Sequence, residues 1–176
     1  MSRHFEFTGE EKVNVHGFTV KRIRATVDIP RFGIRKGDVG GWIDRFDALV
    51  SGNAWVYDGA QVYGNAQVYG DARVSGNARV SGNAWVYGDA RVEQHTHLLA
   101  LGPVGSESVT VTLVRGAKGT HILNVGCWTG TLGTLMAEVK RRHEQWGGTE
   151  ADHERWMAQY RAVKALGKAT VAGWSE

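Results

Sequence analysis

Alanine and valine recur at every sixth position between Ala48 and Val92, and the two are always two residues apart. On an extended strand, residues two apart point to one face and the residue between them points to the other. A Gly-Asn, Gly-Asp or Asp-Gly pair separates successive hexads. These residue types favour tight turns because they tolerate positive φ and hydrogen-bond the backbone. Each hexad is therefore predicted to be a short strand followed by a corner.

A corner every six residues is too frequent for a meander of hairpins, in which turn signals come about every 8–12 residues. It favours a parallel solenoid, in which each repeat stacks on the repeats before and after it. We therefore expect the alanines and valines to line the interior of a coil and the residues between them to face outward.

The hexads resemble the hexapeptide repeats of left-handed parallel β-helices, which pair an aliphatic residue with a small one four positions later, as Val56 is paired with Ala60. The resemblance implies three hexads per triangular coil and about two and a half to three coils over residues 47–93. Successive coils then stack the valines in three inward columns: Val50, Val68 and Val86; Val56, Val74 and Val92; Val62 and Val80.

The segments on either side of the hexads lack this period. Alternating apolar residues at 13–20 surround a His16-Gly17 turn, which predicts a β-hairpin. A short solenoid needs covered ends, so we expect residues 1–46 to form an N-terminal β cap. The fold class predicted for the whole chain is mainly β, with a small α+β module at 94–176.

Strands and helices are both predicted in the C-terminal module. The strands are expected at 95–101, 109–114 and 121–125, and Thr131 and Thr149 are the predicted N-caps of two helices that cover one face of the sheet. The apolar faces of these helices carry Leu132, Leu135, Met136, Val139 and Trp146 in the first and Trp156, Tyr160 and Val163 in the second.

Two motifs at the ends of the hexads add a further resemblance. Residues 37–42 read GDVGGW, and residues 126–132 read GCWTGTL. With the GNAxVYG hexads between them, they resemble a group of hexapeptide-repeat proteins, often encoded by phages or prophages, that have a GDxGGW entry and a GCFxGTL-like motif. Trp128 stands where that motif has Phe. The resemblance covers nearly the whole chain and implies its organisation, but it implies no biochemical activity.

The composition is that of a globular protein, with 176 residues, 42% apolar and 22% charged. The formal charge of +3 permits an anionic partner, but the positive residues are scattered apart from Lys140, Arg141 and Arg142, so sequence-specific nucleic-acid binding is not expected. The single cysteine, Cys127, excludes an intrachain disulfide. We expect no leader and no membrane span, and hence a cytoplasmic protein, in the host cytoplasm if a phage encodes it.

The outward positions of the predicted coil alternate aromatic and polar residues. They stack Trp55 with Arg73 and Arg91, Gln67 with Trp85, Tyr69 with Tyr87, Gln61 with Arg79, and Tyr63 with Ser81. Aromatic rings and guanidinium groups bind bases or a protein partner by stacking and cation–π contacts. The same columns also stabilise a sheet as side-chain ladders, or bury against a sister subunit, because Trp, Tyr and Arg are enriched at interfaces.

The C-terminal module contains two further candidates. Residues 126–131 lie between a predicted strand and a predicted helix, where backbone N–H groups bind anions, although a tight turn that requires glycine explains the same residues. The basic residues 140–143 also suit the C-terminal end of a helix, whose dipole they complement. The candidate ligand- or partner-binding residues are Trp55, Arg73, Arg91, Arg79, Tyr69, Trp85, Tyr87, Gly126, Trp128, Gly130, Thr131 and Arg141.

A metal site or a cysteine nucleophile is supported by fewer residues than a binding surface is. His95 and His97 share a face if they lie on a strand, and with His121 and Cys127 they make a possible tetrahedral zinc set. Strand histidines are more often half-exposed polar residues, and an unpaired cysteine is usually buried by packing. We therefore predict no catalytic residue, no metal and no cofactor.

The sequence as a whole predicts a non-catalytic binding or scaffolding protein, with a homotrimer as the favoured oligomer. The phage resemblance implies a host-takeover or anti-defence role, by binding a host protein or by sequestering an anionic nucleotide-like ligand. An acyltransferase-like enzyme of the hexapeptide-repeat class is one alternative, but residues 48–92 contain neither a histidine nor an inserted loop, which the resembling enzymes use. A self-assembling structural protein is the other.

Overall fold

The computed structural model describes residues 3–174, except the side chains of Val50 and Ser51. The chain folds into two compact units, Met1–His97 and Leu98–Glu176. The predicted division into three parts, with boundaries at 46/47 and 93/94, stays a prediction.

The first unit consists of β-strands joined by turns and three short 3-10 helices, Pro30–Phe32, Phe46–Ala48 and His95–His97. Its strands are β1 Phe5–Val13, β2 Thr19–Ala25, β3 Val39–Ile43, β4 Leu49–Gly52, β5 Trp55–Val56, β6 Gln61–Val62, β7 Gln67–Gly70, β8 Arg73–Val74, β9 Arg79–Val80, β10 Trp85–Val86 and β11 Arg91–Val92.

The hexad strands and the preceding β3 pair in parallel in three rows, with the orders β3-β6-β9, β4-β7-β10 and β5-β8-β11. The chain visits the three rows in turn, so it winds as a three-sided parallel solenoid. Trp55 is in register with Arg73, and Arg73 with Arg91, which is the predicted spacing of 18 residues. Backbone bonds join the coils; the Trp55 N–H, for example, donates to the Ala72 carbonyl at 3.0 Å.

The inward columns are confirmed. The hexad alanines from Ala48 to Ala90 and the valines from Val56 to Val92 are all 0% exposed. The side chain of Val50 lies outside the described residues, and the register there differs from the prediction, because Leu49 rather than Val50 pairs with Val68. The reason is an irregularity in β4, whose pairing with β7 shifts between Leu49 and Gly52.

The two glycines of the GDVGGW motif let β3 lie close against the first hexads. A Cβ added at Gly40 would be 2.7 Å from the Trp55 ring and from the Val56 carbonyl oxygen. A Cβ at Gly41 would be 2.7 Å from the Ala60 carbonyl oxygen. Real side chains do not approach so closely, so both positions require glycine for contact rather than for turn formation.

The predicted hairpin is present as β1 and β2, and it continues one side of the solenoid. Strand β2 pairs antiparallel with β3, which in turn pairs parallel with β6. Strand β1 is the outer strand of this sheet. It carries Glu10, Glu11 and Lys12 and a register irregularity between Phe7 and Glu11, features that discourage pairing with another chain.

The second unit is an antiparallel sheet with two helices. The sheet has the order β12-β13-β14-β15. Its elements are β12 Leu98–Val104, β13 Val109–Arg115, β14 His121–Val125, β15 Trp128–Gly130, α1 Leu135–His143 and α2 Glu150–Ala172. Both helices contribute to one core with the sheet, formed by Val104, Val111, Leu113, Leu123, Val125, Leu132, Leu135, Val139, Tyr160, Val163 and Trp174.

The two helices differ in how well the sequence predicted them. Thr149 caps α2 as predicted, in a capping box with Asp152. Helix α1 begins at Leu135, not after Thr131, because residues 132–134 form a turn in which the hydroxyl of Thr134 hydrogen-bonds the backbone of Thr131. Such local bonds and the intervening glycine compete with helix formation.

The strand predicted at 95–101 is also displaced. His95 and His97 lie in a 3-10 helix, and β12 runs from Leu98 to Val104 instead. Strand β15 was not predicted at all. In the described part of the chain, no helix has both the length and the apolar composition needed to cross a bilayer.

Two neighbouring residues of β9, Arg79 and Val80, provide a test of which hexad side chains point into the solenoid. Val80 is 0% exposed, whereas Arg79 is exposed. Val80→Ala should lower the free energy of unfolding by about 1–3 kcal/mol, because it leaves a cavity in a closely packed core. Arg79→Ala should change it by no more than about 0.5 kcal/mol. Urea denaturation followed by circular dichroism measures both, and equal effects would contradict the inward placement of valine.

Candidate functional site

A tight hairpin places Cys127 at the end of the second sheet. Asn124 pairs with Thr129 and Val125 with Trp128, which leaves Gly126 and Cys127 as the loop between β14 and β15. Gly126 has a φ of 56°, which favours glycine. The predicted strand-to-helix turn at 126–131 is therefore wrong, because these residues form a hairpin and the helix begins only at Leu135.

The last turn of α1 gathers two guanidinium groups around one carboxylate. Arg141 donates from Nε and Nη2 to the Glu138 carboxylate at 2.9 and 2.7 Å, and Arg142 donates from Nε at 2.6 Å. The hydrogen bonds from Arg141, and then those from Arg142, lower the pKa of Glu138 from 4.5 to about 2. Glu138 is therefore ionised, and it orients both arginines.

Arg142 also connects α1 to the hairpin. Its Nη2 lies 3.7 Å from the Sγ of Cys127, and this cysteine is exposed. The expectation that Cys127 is buried by packing is wrong, because the two-residue loop holds the side chain outside the core.

Cys127, Arg141 and Arg142 line a cleft of about 280 Å³, called the Cys127 cleft below. It offers two guanidinium groups, an amide, a thiol, a hydroxyl, an indole and a phenol, and one carboxylate. Burial, followed by the charge of Glu107, raises the pKa of Tyr160, so its phenol stays protonated at neutral pH. The lining residues are Ser106, Glu107, Val109, Val125, Cys127, Arg141, Arg142, Gln145, Trp146 and Tyr160.

The guanidinium groups are the side chains of this set with the clearest binding chemistry. Guanidinium groups bind carboxylate or phosphate through charge-assisted hydrogen bonds. A cysteine nucleophile commonly needs an adjacent base, but the residues that line the cleft include no histidine. The arrangement places guanidinium donors beside aromatic rings in one cleft.

The possible zinc set of His95, His97, His121 and Cys127 is not brought together among the described residues. His97 Nδ1 accepts a hydrogen bond from the Glu93 N–H at 3.3 Å, within the first unit. His121 Nε2 accepts from the Leu132 N–H at 3.1 Å, and burial lowers the pKa of His121, so it stays neutral. No group of three or more His, Cys, Asp or Glu side chains is placed to hold a metal among the described residues.

The column of Trp55, Arg73 and Arg91 is partly covered by residues that precede the hexads. Trp55 is 1% exposed, with its ring beside Gly40 and 6.3 Å from the His4 ring. The guanidinium of Arg73 lies 4.1 Å from the centre of the Phe32 ring. Trp55 therefore belongs to the core of the unit rather than to an exposed platform, and Arg73 packs on its own chain. Arg91, at the end of the column, is half-buried.

Another side of the solenoid keeps an aromatic surface. The rings of Tyr69 and Tyr87 are stacked, with centres 5.0 Å apart and planes 7° apart. Trp85 is 40% exposed. Arg79, on a third side, is also exposed. Tyr69, Trp85 and Tyr87, called the Trp85 surface below, are the solenoid candidates that form a surface patch of rings.

Most of the remaining candidates, which lie in the second unit, make contacts that stabilise the local fold. A Cβ at Gly130 would collide with the Trp128 ring, so Gly130 makes room for this half-buried tryptophan. The Thr131 N–H donates to the Thr134 hydroxyl at 3.0 Å. Of the predicted residues in this unit, Arg141 lines the Cys127 cleft. Glu107, Gln145 and Tyr160 were missed because they come from separate segments that no local motif connects.

The model of the YdcK beta solenoid repeat matches this chain twice, at residues 66–82 and 72–88. These overlapping matches lie in the hexads and agree with the parallel sheets, so the chain contains β-solenoid repeats. A comparison with curated proteins gives no match.

The ion pairs of Glu138 predict a measurable pH dependence. The pKa of Glu138 is about 2 in the folded chain, compared with 4.5 for a glutamate without these partners, as in the unfolded chain. Its contribution to stability is therefore complete above about pH 4.5 and is lost as the pH falls towards 2. The carboxyl ¹³C resonance of Glu138 should still report an ionised group at pH 3.5, and Arg142→Gln should raise the pKa. A wild-type midpoint near pH 4.5 would contradict this arrangement.

Proposed function

We propose that this protein is a non-catalytic binding protein that holds a small anionic, nucleotide-like ligand in the Cys127 cleft. The observation that supports the proposal is the presence of Arg141 and Arg142 together on the wall of a cleft of about 280 Å³. Such a volume is close to the lower end of ligand-binding pockets, about 300 Å³, and so fits a mononucleotide or a smaller anion.

The hydrogen-bond donors of the cleft suit an anion. The two positive charges of the guanidinium groups are balanced by Glu138 and by the lining carboxylate of Glu107, so the attraction comes from unused N–H donors and not from a net positive charge. The bonds to Glu138 use Nε and Nη2 of Arg141 and Nε of Arg142, fewer than the five N–H donors of each group. Because Glu138 already orients both arginines, less side-chain entropy is lost when a ligand binds.

The aromatic wall favours a ligand with a planar group. The rings of Trp146 and Tyr160 lie 6.1 Å apart at an angle of 24°, and both line the cleft. Stacking of a base on an aromatic ring contributes about 1–3 kcal/mol. An anionic group beside the arginines and a base beside Trp146 together describe a nucleotide.

The solenoid has a supporting role in this proposal. We propose that it is left-handed, with about two and a half to three coils, and that it forms a homotrimer through the Trp85 surface. Tryptophan and tyrosine are enriched at subunit contacts. The resemblance to phage-encoded proteins supports sequestration of a host nucleotide-like signal in the cytoplasm, in an anti-defence role.

The proposed ligand class can be tested by calorimetry on the full chain. AMP and ATP should bind, adenosine should bind less well because it lacks phosphate, and inorganic phosphate should bind less well because it lacks a base. Arg141→Gln should weaken nucleotide binding about tenfold or more, the effect of removing a charge-assisted hydrogen bond. Arg161→Gln is the matched control, because Arg161 is an exposed arginine of α2 outside the cleft lining.

Native mass spectrometry separates this function from its alternatives. A binding protein should give a fixed oligomer that retains a small ligand after gentle purification, whereas a self-assembling structural protein should give masses that grow with concentration. Equal nucleotide affinities of wild type, Arg141→Gln and Arg161→Gln would overturn the cleft as the site. Turnover of a bound nucleotide that is lost in Cys127→Ala would favour an enzyme.

A further inference from the structure

His143 and His153 form a second cluster, outside the Cys127 cleft. The Nε2 of His143 lies 3.1 Å from the Nδ1 of His153. His143 is the last residue of α1, and His153 lies in the first turn of α2. Both side chains are half-buried.

We infer that the His143–His153 pair binds a divalent transition-metal ion such as Zn²⁺ or Cu²⁺. Zinc binds imidazole nitrogen at about 2.0–2.1 Å, which puts two nitrogen ligands of one ion about 2.8–3.4 Å apart for angles between 90° and tetrahedral. The observed separation of 3.1 Å lies within that range. Imidazole nitrogen is also a preferred ligand of zinc and copper.

A backbone contact fixes the protonation of His153 in the form that binds a metal. Its Nε2 lies 3.2 Å from the Gly147 carbonyl oxygen, which accepts hydrogen bonds only, so Nε2 carries the proton. In the neutral ring, the lone pair is then on Nδ1, the atom that faces His143. Histidine ligands typically donate their other N–H to a carbonyl in this way.

The rings around the pair restrict its movement. The Trp146 ring centre is 5.0 Å from that of His143 and 5.8 Å from that of His153, and Trp156 lies 5.8 Å from His153. The capping box at Thr149 fixes the start of the helix that carries His153. The two nitrogens are therefore held close together before any metal binds, which lowers the entropic cost of binding.

The pair supplies two ligands, and water or a donor atom of a bound molecule completes the coordination. In the absence of metal, the Nε2–H of His143 donates to the Nδ1 of His153. When metal binds, the proton of His143 moves to its Nδ1 through solvent, so the ring stays neutral and Nε2 becomes a ligand. A site with two protein ligands binds more weakly than a four-ligand structural zinc site.

The direct test uses the wild-type full chain. After chelator treatment, Zn²⁺ is titrated at pH 7.5, and the imidazole ¹⁵N resonances are followed by NMR. The resonances of His143 Nε2 and His153 Nδ1 should shift first and saturate near one equivalent, while those of His4, His16 and His95 should stay unchanged at that ratio. Shifts spread equally over all histidines, or no saturable shift, would overturn the site.

Variants provide an independent test. Cu²⁺ should quench tryptophan fluorescence in the wild type because Trp146 and Trp156 lie beside the pair. His153→Gln should weaken this binding about tenfold or more, and His95→Gln, an exposed histidine of the first unit, should leave it unchanged. Circular dichroism checks that both variants fold. Unchanged quenching in folded His153→Gln would show that the contact is only a hydrogen bond between two helices.

Discussion

The stacking of alanine and valine inside the solenoid is the constraint on which the first unit depends. Three sheets face one another across a narrow interior, and the hexad alanines and the valines from Val56 to Val92 are 0% exposed there. Only small and β-branched side chains fit such a space while the backbone bonds between coils stay intact. The corners obey the same constraint, because Asn53 reaches Asp71 and Asn65 reaches Asn83 in the next coil, at 2.9 and 3.2 Å.

This periodicity made the solenoid predictable from sequence, since a column of 18-residue neighbours follows from the hexads alone. The non-repeating segment before it was less predictable. Periodicity placed Trp55 on the outside, and the N-terminal chain then covered it, with Gly40 removing the side chain that would have kept β3 away. Whether an outward residue of a solenoid is free thus depends on segments that the repeat does not describe.

The second unit shows where local patterns mislead. Strand β14 and the cap of α2 were predicted correctly because alternation and capping are local signals. The glycine-rich segment after β14 was predicted to turn into a helix, but it forms a hairpin, because the pairing of Val125 with Trp128 depends on the whole sheet and not on a local signal. The Cys127 cleft combines a hairpin, two helices and the 106–109 segment, so no short motif could have indicated it.

The end of α1 concentrates the chemistry of this unit for an electrostatic reason. The C-terminus of a helix has a partial negative charge, and the basic residues 140–143 complement it. Glu138 draws two of these cations to the cleft side, whereas His143 turns to His153. Trp146 contacts both places, as a wall of the cleft and as a neighbour of both histidines. The cleft and the histidine pair therefore share one aromatic neighbour.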